Sequence, residues 1–120
     1  MLFDDINAWF SNGWGDTNAY ELDEEYVIEV RATGLDKSDI KLSFDSDGAL
    51  KIFGKYKTEG DKNKRWLRHE FSPATLNRRL ILPDDVDKES VHAKATNGIL
   101  EIHLAKLKPN VPNNRIIAIE

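Results

Sequence analysis

The chain has 120 residues, a formal net charge of −4, 40% apolar and 32% charged residues, and no cysteine. That length suits one domain with tails, and no apolar run approaches the ~18 residues of a membrane span. The lack of cysteine excludes disulfides, thiolate metal sites and thiol nucleophiles and fits a reducing, cytoplasmic setting, while the negative charge argues against whole-domain affinity for nucleic acid.

Residues 1–17 read as a separate N-terminal arm. Leu2, Phe3, Ile6, Trp9 and Phe10 fall at i, i+1, i+4, i+7 and i+8, an apolar stripe on a short helix, and Ser11, Asn12, Gly13 and Gly15 break it. So short a helix does not hold alone in water, so the arm either packs on something or stays disordered. One reading is a terminus docked on its own domain. The other, favoured by the cost of leaving five large apolar side chains wet, is an adhesive arm for self-association or clients. The start Met1-Leu-Phe-Asp-Asp-Ile6 has neither the basic start nor the apolar stretch of a secretory signal.

From Ala19 the apolar pattern has period two. Tyr26, Ile28, Val30 and Ala32 alternate with Val27, Glu29 and Arg31, and Gly34 with Asp36-Lys-Ser-Asp39 makes a turn. Ile40, Leu42 and Phe44 alternate with Lys41 and Ser43; Asp47-Gly48 signals a hairpin; Leu50, Ile52 and Tyr56 then alternate with Lys51, Lys55 and Lys57. Gly54 interrupts that row, the usual mark of a bulge.

Residues 58–75 are a long connection containing the charged run Asp61-Lys-Asn-Lys-Arg65 and a strand-like piece, Trp66-Leu-Arg-His-Glu-Phe71. Connections of this length inside a compact domain tend to be functional. A strand in mid-loop has no obvious partner in its own sheet, and the edge of another chain would complete its backbone hydrogen bonds.

Leu76-Asn-Arg-Arg-Leu-Ile-Leu82 is a strand ended by Pro83, and residues 84–90 read as an acidic connection with room for a helical turn. Asn97-Gly98 is the clearest hairpin signal, since both residues tolerate the positive φ of a type I′ turn. Its arms place Val91, Ala93 and Ala95 on one face and Leu100, Ile102 and Leu104 on another, each arm having one dry side and one wet side. Pro109 and Pro112 make an extended linker, and the chain ends Arg115-Ile-Ile-Ala-Ile-Glu120, with Ile117 and Ile119 on one side if extended. About seven short strands and no convincing interior helix predict an all-β, antiparallel, immunoglobulin-like β-sandwich.

The chemistry of catalysis is missing. No Gly-x-x-x-x-Gly-Lys-Ser/Thr or Gly-x-Gly-x-x-Gly loop is present, so no ATP use and no cofactor are expected. His69, His92 and His103 lack metal-ligand spacing, and Asp45, Asp47, Asp84, Asp85, Asp87 and Glu89 lack that of an EF-hand. No Gly-x-Ser-x-Gly elbow occurs, and the expectation is a non-enzyme. The basic and aromatic mixture from Lys55 to Arg68 has the ingredients of a single-strand nucleic-acid surface, but Glu59 and Asp61 interrupt it, and a solvated loop carrying a pairing strand is the preferred reading.

Three motifs in order carry a family resemblance. Ala93-Lys-Ala-Thr-Asn-Gly98-Ile99-Leu100 matches the signature Ala-x-x-x-x-Gly-Val/Ile-Leu. Arg65-Trp-Leu-Arg-His-Glu70 with Arg78-Arg79-Leu-Ile-Leu-Pro83 looks like a loop strand and the strand after it. Ile117-Ala118-Ile119 matches an Ile-x-Ile tail. The chain thus resembles the small heat shock proteins, with an α-crystallin domain over 18–106, the 58–75 segment as its dimerisation loop, and a C-terminal extension over 107–120.

The resemblance implies an ATP-independent holdase that binds unfolding proteins, works as homodimers assembled into oligomers, and takes no metal. It implies a dimer interface of Trp66, Leu67, Arg68 and His69 against the partner's Tyr20 and Leu22, with Arg78 or Arg79 pairing a carboxylate across it. It also implies that Ile117 and Ile119 enter a groove lined by Ile40, Leu42, Phe44, Val91 and Ala93, and that Leu2, Phe3, Ile6, Trp9 and Phe10 meet clients. An ATP-dependent refolding chaperone is a conceivable further partner; nucleic acid and membrane are not expected. The rival is a p23-like β-sandwich co-chaperone, an adaptor binding one folded partner.

Overall fold

The computed structural model describes residues 16–58, 62–108 and 119. Among these residues seven strands form: β1 (Thr17–Glu21), β2 (Glu25–Arg31), β3 (Ile40–Phe44), β4 (Leu50–Gly54), β5 (Leu76–Leu80), β6 (Val86–Thr96) and β7 (Ile99–Lys106), with one 3-10 turn at Lys37–Asp39. They make two antiparallel sheets, one in the order β1-β2-β7-β6 and one in the order β3-β4-β5. The expected all-β sandwich is therefore what the chain forms.

Alternation puts Tyr26, Ile28 and Val30 of β2 and Leu100, Ile102 and Leu104 of β7 on the inner face of the larger sheet. They pack against Leu50 and Ile52 of β4 and Leu76 and Leu80 of β5 from the smaller sheet, all buried. This cluster is the core, and it sits between β2/β7 and β4/β5.

The turns follow their residues. Asn97 (φ 55°) and Gly98 (φ 78°) lie in the left-handed region and join β6 to β7, as expected of a type I′ hairpin. In the β3–β4 turn the Asp45 carboxylate accepts from the backbone N–H groups of Asp47 and Ala49 at 2.9 and 3.0 Å.

Three sequence expectations are corrected. Gly54 marks no bulge: it holds regular register between Ile40 and Leu76. A Cβ there would come within 3.1 Å of Leu35 and 3.2 Å of Leu76, so glycine answers close packing. The irregularity lies in β6, between Val86 and Val91. Residues 86–90 are strand and not a helical turn, because Val86 is drawn into the core and carries the backbone into register with Lys106. Finally, the inward side of β6 is not dry: Ala93 and Ala95 are exposed, since the smaller sheet does not cover them.

Candidate functional site

Three surfaces gather the sequence-predicted residues. The first is the free edge of β1, whose ladder is filled by β2 on one side only among the described residues. Tyr20 and Leu22 are exposed beside it. The position of β1 is held by a cross-sheet pair: Asp16, just before the strand, accepts from Arg78 of β5 at 2.8 Å, both side chains largely covered.

Arg79 takes a different partner, donating to Asp45 at 2.6 Å and to Asp47 at 3.4 Å. The hydrogen bond from its guanidinium holds the Asp45 carboxyl below the usual range. Both arginines thus meet carboxylates of their own chain.

The second surface is the 58–75 loop. Its strand-like piece has no ladder among the described residues: Trp66 is 57% exposed, and Leu67 and Phe71 more so. It is nonetheless locally ordered by short-range contacts. The Trp66 ring stacks on His69 with centroids 4.1 Å apart, Arg68 pairs with Glu70 at 2.7 Å, and His69 shares a 3.0 Å hydrogen bond with Ser72. A cavity of about 470 Å³ opens between this loop and the end of β4, lined by Tyr56, Trp66, His69 and Phe71 among others.

The third is a groove of about 270 Å³ between β3 and β6. Ile40, Leu42 and Ala93 line it, together with Lys37, Lys94, Ala95 and Leu100. Phe44 and Val91 do not line it. Phe44 points past its end, with the Lys88 ammonium 5.9 Å from the ring, and Val91 packs on the core. The groove exists because alanines occupy the part of β6 that the smaller sheet leaves uncovered; the Ala93, Ala95 spacing was the available signal, and the lining lysines had none.

The client arm residues Leu2, Phe3, Ile6, Trp9 and Phe10, and tail residue Ile117, lie outside the described residues. Ile119 is described and fully exposed.

Two polar clusters had no sequence signal. His103 of β7, on the outer face of the larger sheet, is held by Glu25 through Nδ1 and by Glu101 through Nε2, the latter at 2.6 Å. Both ring nitrogens donate only in the imidazolium, so hydrogen bonds to Glu25 and then Glu101 raise its pKa above 6.5. The same bond lowers that of Glu101. At one end of the sandwich the Tyr26 hydroxyl donates to Asp85 at 2.8 Å, and Lys106 reaches Glu21 at 2.5 Å. Burial, then the Asp85 bond, pushes the Tyr26 phenol up.

Among the described residues no group of three or more histidine, aspartate or glutamate side chains is placed to hold a metal, and no helix is long and apolar enough to cross a membrane. Among the described residues the chain is thus an antiparallel β-sandwich with β1 paired on one side, an exposed loop and an apolar groove between β3 and β6. The sequence places it more narrowly: residues 18–120 match the Hsp20/alpha crystallin family, and the chain belongs to that family.

A 22.0 kDa heat shock protein of Arabidopsis thaliana is 39% identical over 101 residues, covering 82% of this chain and 52% of that protein. A 22.7 kDa class IV heat shock protein of Pisum sativum is 41% identical over 88 residues, 72% of this chain and 45% of that one. The chain thus spans about half the length of these curated relatives. Among solved structures, a small heat-shock protein from Xylella fastidiosa superimposes with a TM-score of 0.69 at 28% identity, over 87% of this chain and 94% of that one. These similarities do not favour the p23-like adaptor.

Proposed function

We propose that the chain is a molecular chaperone of the holdase kind: it binds unfolding proteins without ATP, keeps them from aggregating, and works as a homodimer built into larger homo-oligomers. The observation that carries this reading is the combination, in a member of the Hsp20/alpha crystallin family, of an unpaired β1 edge with an exposed apolar loop segment, Trp66 to Phe71. A strand edge beside large exposed apolar side chains is a liability in a lone monomer and an interface in an assembly.

In this reading the loop around 65–70 pairs with the partner's β1, burying Trp66 and Leu67 near Tyr20 and Leu22. Ile117 and Ile119 of one dimer enter the β3–β6 groove of another, and the α-crystallin domain is bounded at 18–106. Arg78 and Arg79 support the dimer indirectly, by holding Asp16 before β1 and Asp45 in the β3–β4 turn. Clients meet the arm residues Leu2, Phe3, Ile6, Trp9 and Phe10, where non-directional apolar burial gives broad recognition. No catalytic step and no cofactor take part, and a cytoplasmic setting fits a cysteine-free chain.

The test is suppression of heat aggregation of a denaturing client, followed by light scattering without nucleotide. Near-stoichiometric chain suppresses scattering. Deleting residues 1–12 weakens protection severalfold while sedimentation still finds dimers. Full scattering with the intact chain present refutes the holdase reading, and equal protection by the truncated chain removes the arm from it.

A further inference from the structure

The outer face of the β3-β4-β5 sheet carries cations that the fold does not use. Register places Lys41 of β3 beside Phe53 of β4 and Asn77 of β5, and Ser43 beside Lys51 and Arg79. Lys55 follows directly after β4, at the mouth of the loop cavity. Phe53, at the centre, is 50% exposed although it sits mid-strand in the central strand of its sheet. Arg79 is consumed by Asp45 and Asp47, but Lys41, Lys51 and Lys55 make no ion pair among the described residues. The larger sheet's outer face is different: Glu25, Glu101, His103 and Lys94 are paired with one another there, and Glu29 accepts from Asn18.

We propose that the Phe53 face is the docking site for residues 1–15 of the same chain, with Asp4 and Asp5 meeting Lys41, Lys51 or Lys55 and an arm aromatic covering Phe53. Three observations point to this occupant. The arm's charged side chains are Asp4 and Asp5, with no lysine or arginine among its fifteen residues, and they stand between Phe3 and Ile6. An acidic, aromatic segment is the complement of a basic surface with an apolar centre. Second, the arm starts at the right edge. Asp16 is clasped to Arg78 on β5, the free edge of this sheet. Arg78 lies on the inner side with Ile52, so the arm rounds the β5 edge and then crosses two interstrand spacings, about 10 Å, to β4 and β3, while eleven residues from Asp16 to Asp5 reach about 36 Å when extended. Third, tethering makes a weak contact sufficient, because a short link supplies an effective concentration of order millimolar.

The docked arm keeps its apolar side chains on Phe53 and away from other proteins, and salt or heat releases them. That consequence rests on the client role proposed above; the docking itself does not.

Zero-length carbodiimide coupling of the full chain, read by mass spectrometry on a mixture of isotope-labelled and unlabelled protein, tests it. Expected are same-isotope amide links from Asp4 or Asp5 to Lys41, Lys51 or Lys55. Their yield falls about tenfold between low salt and about 1 M salt, where the screening length is about 3 Å, and about tenfold in Phe53→Ala, which removes the apolar contact. In Lys41→Glu/Lys51→Glu, whose positions make no ion pair among the described residues, links to Lys55 fall about tenfold while the thermal midpoint is unchanged. Links running only to other lysines, links found only between isotopes, or yields indifferent to salt overturn the proposal. Because no client is present, chaperone activity that fails its own test leaves this result standing.

Discussion

His103 shows how a residue with no motif can still set a property of the protein. Its imidazolium lies between Glu25 and Glu101, and the raised pKa means that the folded state holds its proton more tightly than the unfolded chain does. The stabilisation is complete below about pH 6.5, the ordinary histidine value, and is lost as pH rises through the higher folded value. The depressed Glu101 acts in the other direction, its contribution disappearing as pH falls below the carboxylate range. Thermal melts are thus expected to show a midpoint that declines from slightly acidic to slightly alkaline pH, and His103→Gln to flatten that decline; an unaltered slope would assign it to other groups. The apolar core makes a separate demand. Ile102 is fully buried, and Ile102→Ala is expected to cost about 2–5 kcal/mol in chemical unfolding, by lost transfer energy plus an unfilled cavity.

At the scale of the element, the Trp66 to Phe71 segment is the informative case. Its alternation reads as a strand, yet among the described residues it pairs with no strand and makes local contacts such as the Trp66 and His69 stack. Strand propensity is completed by cross-strand neighbours, and in the proposed dimer the partner's β1 supplies them. Leu67→Pro removes a backbone donor and Trp66→Ala removes the largest apolar side chain of the segment, so each is expected to weaken dimerisation at least about tenfold. Sedimentation equilibrium showing undiminished dimer in both would count against strand exchange. Gly54 and Val86 show the same dependence on context. Glycine in a strand signals a bulge or a close approach, and only the positions of Leu35 and Leu76 decide for the approach. An acidic run looks like a connection until Val86 finds the core.

For the whole molecule, the proposed assembly has to be built from weak contacts. If the tail binds as proposed, two isoleucines buried in the β3–β6 groove of another dimer contribute roughly 3–6 kcal/mol before the cost of ordering the tail is subtracted. One such contact is about millimolar or weaker, and several in a closed ring act together. Oligomers held this way are stable and still exchange subunits. Ile117→Ala with Ile119→Ala is therefore expected to reduce the assembly to dimers, with light scattering as the measure; an unchanged mass would rule out tail bridging.

The strands, their inward faces and the Asn97-Gly98 and Asp47-Gly48 turns were legible in the chain because they depend on alternation and on local φ preferences, both encoded within a few residues. Ile40, Leu42 and Ala93 were assigned to one groove on a family resemblance, and the fold does bring them together. What tertiary structure alone decided is which side chains meet across long sequence separations. Arg78 takes Asp16, Arg79 takes Asp45, His103 sits between Glu25 and Glu101, and Phe44 and Val91 fall outside the groove. Period-two alternation says which way a side chain faces but not how far the opposing sheet extends over it, and charge has no period at all. Those pairings follow from which strands lie side by side and from how the two sheets stack, which no local stretch contains.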